Sequence, residues 1–276
     1  MPNNISVYSY VRRNNTKNFG DDLSLPMCEH ASGRSFVWGS KLQADMYAVG
    51  SLLQVFKSRK YRIRSMVERM LNGKRPLVIW GTGVIDTTPL HLPRLEILAV
   101  RGPLTAKALD LKRNVAFGDP GLLVSDILPT PAKNGKVGIV PHYVDKAHPV
   151  IEAAAKDDRF VIINVEDDWK NTVSHISQCD LILSSSLHGL IVADAYGIPN
   201  QWLELSQNVI GAGFKFQDYA DGVGRKAMGA VKVSGLEDID IAVGMAQMAG
   251  AALSAAQLSS IKSDLKSVLK AHYRRH

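Results

Sequence analysis

Short apolar runs alternate along this chain with segments whose apolar residues recur at helical spacing. Ile5 to Val11, Ala44 to Val49, Pro76 to Trp80, Leu95 to Val100 and Val115 to Asp119 read as strands, with Asp21 to Ala31 and Pro103 to Leu111 as helices among them. Such alternation predicts a parallel sheet covered by helices. Leu128-Pro129-Thr130-Pro131-Ala132-Lys133-Asn134-Gly135 then marks a linker. A second series follows: strand-like Lys136 to His142, helical Pro149 to Lys156, strand-like Arg159 to Val165 and helical Trp169 to Gln178. The expectation is two Rossmann-like α/β domains, 1–130 and 131–276, the second ending in basic C-terminal helices. Ligands of open parallel sheets lie beyond the carboxyl ends of the strands. The cleft should therefore be lined by Gly81 to Gly83, Arg101, Asp119 to Gly121, His142 and Ser184 to His188.

The most informative stretch is Leu183 to Pro199, where an apolar run stops at Ser184-Ser185-Ser186, passes Leu187-His188-Gly189 and resumes with helical spacing. It reads as strand, tight loop, helix. His188 then stands at a strand end, and the Ser185 to Gly189 amides stand near a helix N-terminus, where anions bind readily. An imidazole there is suited to proton transfer near neutral pH.

The tail from Ser234 is helical in character. Leu258, Ile261, Leu265, Val268 and Leu269 share one face, and Lys262, Lys266, Lys270, Arg274 and Arg275 add positive charge. The pattern fits a closing helix with a solvated basic face, or a helix docked on an anionic membrane surface.

Composition narrows the classes. Of 276 residues, 46% are hydrophobic, and Lys plus Arg exceed Asp plus Glu by 33 − 26 = 7, which favours anionic ligands or an anionic surface. No nucleic-acid module is recognisable, so nucleic acid is not expected as a partner. No apolar run reaches the roughly 18 residues of a membrane helix. The opening Met1-Pro2-Asn3-Asn4 lacks signal-peptide character, which predicts a cytoplasmic protein. Cys28 and Cys179, lacking metal-ligand spacing, read as reduced, partly buried thiols. No G-x-S-x-G elbow, H-E-x-x-H or P-loop is present, and Asp86 breaks G-x-G-x-x-G after Gly81. The expected site holds neither metal nor cofactor.

Several further segments carry chemistry. Arg101-Gly102-Pro103 lies at a strand-to-helix junction, where a guanidinium can grip phosphate or carboxylate through two hydrogen bonds, or form a structural ion pair. Asp21 follows Asn18-Phe19-Gly20 and serves equally as cap or as ligand contact. Thr82 stands between Gly81 and Gly83, and Asp119 follows Gly118, both in glycine-bearing turns that allow close backbone approach. His142 ends the first strand of the second half. Lys215 lies between Phe214 and Phe216, in a ligand-facing loop or the packed start of a helix.

Taken in order, Asn18-Phe19-Gly20-Asp21, Val49-Gly50-Ser51-Leu52-Leu53, Gly81-Thr82-Gly83, Val100 to Thr105, Gly118-Asp119-Pro120-Gly121, Ser184 to Pro199 and Phe214 to Tyr219 resemble the polysaccharide pyruvyl transferase family, over roughly residues 5 to 225. The resemblance implies a two-domain fold of the GT-B-like type. It also implies transfer of pyruvyl from phosphoenolpyruvate to two hydroxyls of one sugar, on a lipid-linked oligosaccharide at the inner face of the cytoplasmic membrane. By the same resemblance His188 acts in proton transfer and Arg101 holds the donor. Asn18, Gly20, Asp21, Gly81, Thr82, Gly83, Asp119, His142, Ser184, Ser185, Ser186, Gly189 and Lys215 are the residues expected to contact substrate. Many members carry Arg two residues before the histidine. Here that residue is Ser186, so His142, Lys215 or main-chain amides must compensate. A sugar-nucleotide-dependent glycosyltransferase and a non-catalytic polysaccharide-assembly protein remain the alternatives.

Overall fold

A computed structural model of the protein describes residues 5–10, 18–90, 92, 94–225 and 229–275. Its first sheet contains β1 (Ile5–Tyr8), β2 (Phe36–Trp38), β3 (Met46–Tyr47), β4 (Leu77–Trp80), β5 (Leu95–Val100) and β6 (Ala116–Phe117), in the order β2-β1-β3-β4-β5-β6. The second contains β7 (Val137–Val140), β8 (Phe160–Ile162), β9 (Leu181–Ser184), β10 (Asn200–Glu204) and β11 (Val231–Lys232), in the order β11-β10-β9-β7-β8. Every described pairing is parallel. The expected two-domain α/β architecture is therefore present. The end of the first predicted strand, Val11, and Met1 to Asn4 lie outside the described residues.

The reason is burial on both faces. All four residues of β4 and of β9 are buried, as parallel strands under helices must be, so β4 and the first three residues of β9 are apolar runs rather than alternating ones. Three strands were not anticipated: β2, β10 and β11 are short or polar, and their positions follow from neighbours rather than from local pattern. The helix Arg59–Leu71 was also not anticipated.

Both lobes share one core. Val7, Phe19, Trp80 and Leu122 of the first pack in the same cluster as Val140, Ile182, Ile191 and Phe216 of the second. A buried clasp reinforces it. Asp218 of the second lobe accepts Arg101 Nε at 2.9 Å, Thr105 N at 2.9 Å and Thr105 Oγ1 at 2.6 Å. Gly102 permits this approach, because a Cβ there would fall 1.7 Å from the Asp218 carbonyl oxygen.

The C-terminal helix Ala255–Arg275 corrects the expected domain organisation. It crosses back from the second lobe and packs Leu265 and Leu269 into the shared core. Trp80 Nε1 donates to the Leu265 carbonyl at 3.0 Å, and His272 Nδ1 lies 2.8 Å from Glu96. Lys262 and Lys266 both pair with Asp126, at 2.8 and 3.0 Å. This helix thus closes the first lobe, and two of its basic residues are occupied there. Cys28 and Cys179 are free and buried. Among the described residues no helix is long and apolar enough to cross a membrane.

Candidate active site

In each sheet the chain runs outward from an inner strand and then returns to that strand's other side. This happens at β1, flanked by β2 and β3, and at β7, flanked by β8 and β9. Loops at such switch points diverge and leave a crevice beyond the strand ends. The two crevices face each other across a cavity of about 450 Å³, within the range of small-ligand sites. Tyr8 ends β1 and Asn18 follows it, Gly50 and Ser51 follow β3, His142 follows β7, Ser186 and His188 follow β9, and Lys215 follows β10; all line the cavity.

His188 stands in the first turn of the helix Leu187–Ala195. Its ring meets Phe19 edge-on, with centroids 6.3 Å apart. Its Nε2 is buried without a hydrogen-bond partner among the described residues. Burial, then the positive charges of Lys215, Arg101 and His142, hold its pKa down to about 3. The imidazole is therefore neutral near pH 7 in the empty cavity. The Lys215 ammonium makes no hydrogen bond or ion pair among the described residues and lies 5.7 Å from the Phe216 ring. Burial and the Arg101 charge lower its pKa to about 8, against the opposing pull of Asp21 and Asp145. An ammonium held in a cavity without a carboxylate on it is prepared for an anion.

The three serines after Leu183 build this corner. Ser184 Oγ accepts the Ser186 amide at 3.0 Å and lies 2.9 Å from the Val140 carbonyl. Ser185 Oγ donates to Asp145 at 2.7 Å and accepts the His142 amide at 2.8 Å, tying the loop after β7 to the loop after β9. These bonds narrow the expected anion cradle. The amides of Ser185, Ser186 and Gly189 are taken by Val140 O, Ser184 Oγ and Ser186 O. The first-turn amides of Leu187 and His188 are the ones left for a ligand.

Of the residues anticipated from sequence, Asn18, Asp21, His142, Ser186, His188 and Lys215 meet in the cavity wall. Others stand behind it. Ser184, Ser185 and Gly189 shape the loop, and Gly20 forms the surface against which the imidazole rests. Thr82 Oγ1 donates to the Gly50 carbonyl at 2.8 Å and accepts the Leu52 amide at 3.0 Å, holding the turn after β3. Gly81 abuts Pro120, and Gly83 abuts the Arg101 guanidinium. Asp119 is fully buried and accepts the Gly121 amide at 2.8 Å. Desolvation raises its pKa to about 6 against the pull of that amide and of Arg101.

Arg101 requires a correction. It is fully buried, is not part of the cavity wall, and has each nitrogen of its fork engaged: Nε with Asp218, one terminal nitrogen with Ser51 Oγ at 2.8 Å, the other with the Val84 carbonyl. Its position is that of a structural cation which also sets the potential at His188. Sequence reasoning missed Tyr8, Lys41, Ser51 and Asn208, which also line the cavity. Lys41 and Asn208 follow β2 and β10, two strands without a clear local signal. Among the described residues no three His, Cys, Asp or Glu side chains cluster as metal ligands would.

The chain is 32% identical over 152 residues to the uncharacterised protein L143 of Acanthamoeba polyphaga mimivirus, covering 51% of this chain and 53% of that protein. It is 30% identical over 134 residues to the succinoglycan biosynthesis protein ExoV of Rhizobium meliloti (strain 1021), covering 47% and 41%. The chain thus spans about half the length of the curated relatives it matches. A crystal structure of a functionally uncharacterised protein from Klebsiella pneumoniae subsp. pneumoniae NTUH-K2044 superimposes with a TM-score of 0.45 at 12% identity, covering 79% of this chain and 87% of that one. A polysaccharide pyruvyl transferase profile matches residues 3–206, taking in both switch-point crevices and His188, and on that match the chain belongs to the polysaccharide pyruvyl transferase family.

Proposed function

We propose that this protein transfers pyruvyl from phosphoenolpyruvate to two hydroxyls of one sugar of a lipid-linked oligosaccharide, in exopolysaccharide synthesis. The observation that carries the reading is the convergence of Lys215 and His188 on one cavity in a chain of this family. Phosphoenolpyruvate carries two anionic groups close together. Lys215, the Leu187 and His188 amides and His142 are placed to receive them, and they compensate for Ser186 where many relatives carry Arg.

The charge of the donor completes the acid. Lys215, Arg101 and His142 repel a proton from His188, and an anion among them reverses that repulsion and raises the imidazole pKa. His188 then gives its proton to the methylene carbon, leaving a cation at the adjacent carbon. A sugar hydroxyl adds there, and its proton returns to the imidazole. The bond to the phosphate oxygen breaks, a second hydroxyl adds to the same carbon, and its proton leaves with the phosphate. One donor and one diol give one cyclic ketal and one inorganic phosphate. Stabilising the departing phosphate in a partly dry site contributes roughly 3 kcal/mol per well-placed donor.

Incubation with phosphoenolpyruvate and lipid-linked glycans, with products read by mass spectrometry, tests this. The expected result is a pyruvyl ketal mass increment with equimolar phosphate. If nucleotide sugars raise the melting temperature, phosphoenolpyruvate does not, and a glycosyl product forms instead, the proposal fails.

A further inference from the structure

The helix Arg59–Leu71 is built inside out. At 100° per residue, Ile63, Val67, Met70 and Leu71 fall on one face, and that face points to solvent, with Leu71 81% exposed and Met70 59%. The inward face holds Ser65 and Arg69. Arg69 is buried because its guanidinium donates to the carbonyls of Ala44, at 2.8 Å, and Arg75, at 3.0 Å from Nε. An apolar stripe turned outward while an arginine is drawn inward is not explained by the packing of this chain. Exposed stripes of this kind mark interaction surfaces.

Charge identifies the partner. Arg59, Lys60 and Arg64 flank the stripe and are exposed; the acidic residue of the helix, Glu68, is paired with Arg64 at 2.9 Å. A second outward stripe, Ile241, Met245 and Met248 on the helix Leu236–Ala249, is flanked instead by Glu237, Asp238 and Asp240. Apolar side chains bordered by Lys and Arg fit the headgroup boundary of an anionic bilayer, where acidic borders would be repelled.

Position supplies the rest. The segment Leu52–Lys57, which leads directly into the helix, contributes Leu52, Gln54 and Val55 to the cavity wall. Lys41, also in that wall, donates to the Tyr61 hydroxyl at 2.9 Å. We infer that Arg59–Leu71 lies in the surface of an anionic lipid bilayer and brings the cavity mouth to it. The C-terminal helix, for which the sequence left core closure and membrane docking both open, closes the core. The inference deepens the lipid-linked acceptor reading, and its functional meaning rests on that reading.

Co-sedimentation with vesicles of phosphatidylglycerol and phosphatidylcholine, without donor or acceptor, tests the surface. The wild type should bind these vesicles, release them with salt, and ignore vesicles of phosphatidylcholine alone. Val67→Glu/Leu71→Glu and Arg59→Glu/Lys60→Glu should each weaken binding roughly tenfold or more. Met245→Glu/Met248→Glu and Lys270→Ala/Arg274→Ala should bind as wild type. Wild-type protein that fails to bind, or helix variants that bind unchanged, would overturn the inference. So would a wild-type dimer that Val67→Glu/Leu71→Glu converts to monomer, since the stripe would then be covered by a second copy. Transfer to a water-soluble glycan, assayed separately, distinguishes failure of this surface from failure of the pyruvyl transfer reading.

Discussion

Gly20 and His188 belong to different lobes and touch: a Cβ built on Gly20 would fall 2.0 Å from Nδ1 of His188 and 2.3 Å from its Cγ. The first lobe therefore provides the surface that fixes the imidazole carried by the second. Gly20→Ala should push the ring out of place while leaving both sheets intact. Proton transfer by a positioned side chain is worth roughly 10²–10⁴-fold, so kcat should drop by about 10²-fold or more, and His188→Ala should lose activity toward the upper end of that range. Phosphate release measured beside circular dichroism checks both. Near-wild-type turnover in either folded variant would remove His188 from the chemistry.

The Arg101–Asp218 pair makes the opposite prediction, one of stability. Both side chains are fully buried, and Asp218→Ala leaves a guanidinium with no carboxylate in a dry interface. Breaking one side of a buried pair costs about 3–5 kcal/mol. Denaturant unfolding should show that loss. Arg101→Lys cannot reproduce the three-way fork and should also lower the unfolding midpoint. A rise in KM for phosphoenolpyruvate with unchanged stability would restore Arg101 to the donor site.

The architecture was readable because parallel strands buried on both faces announce themselves as uninterrupted apolar runs, such as Leu77 to Trp80 and Leu181 to Leu183. The loops at their carboxyl ends then gave His142, Ser186 and His188 by topology alone. What escaped depends on relations between distant segments. Whether Arg101 faces a ligand or Asp218, which is 117 residues away, is decided by lobe packing. Whether the basic C-terminal helix is free or docked is decided by Asp126 and Glu96. The helix Arg59–Leu71 was missed because its apolar positions do not face the core, so its pattern carries no folding information.

Lys215 sets the alkaline limit of donor binding. Its pKa of about 8 in the empty cavity means that the ammonium begins to lose its proton just above neutrality. An anion stabilises the charged form, so binding takes up a proton at higher pH, and affinity for phosphoenolpyruvate should weaken as pH rises through about 8. Lys215→Met should raise Kd about tenfold or more at pH 7 and flatten that alkaline decline. Calorimetric titration across pH 6.5 to 9.5 reads both effects. A steep decline retained in Lys215→Met would assign the titration to another group.

His188 sets the acid side, with the opposite ordering of events. In the empty cavity its imidazole stays neutral until about pH 3, well below an ordinary histidine, because burial and three neighbouring cations disfavour the charge. A donor bearing several negative charges lifts that pKa, so between the free and bound values binding takes up a proton at His188, and affinity should rise as pH falls. Near pH 7 Lys215 is already mostly charged and adds little to this uptake. Titrating phosphoenolpyruvate in two buffers of different ionisation enthalpy measures the protons bound, and His188→Ala should lower that number by the share the imidazole takes. Equal uptake in wild type and His188→Ala would mean that the donor does not protonate this ring, and the acid that adds the methyl proton would have to be sought elsewhere in the cavity wall.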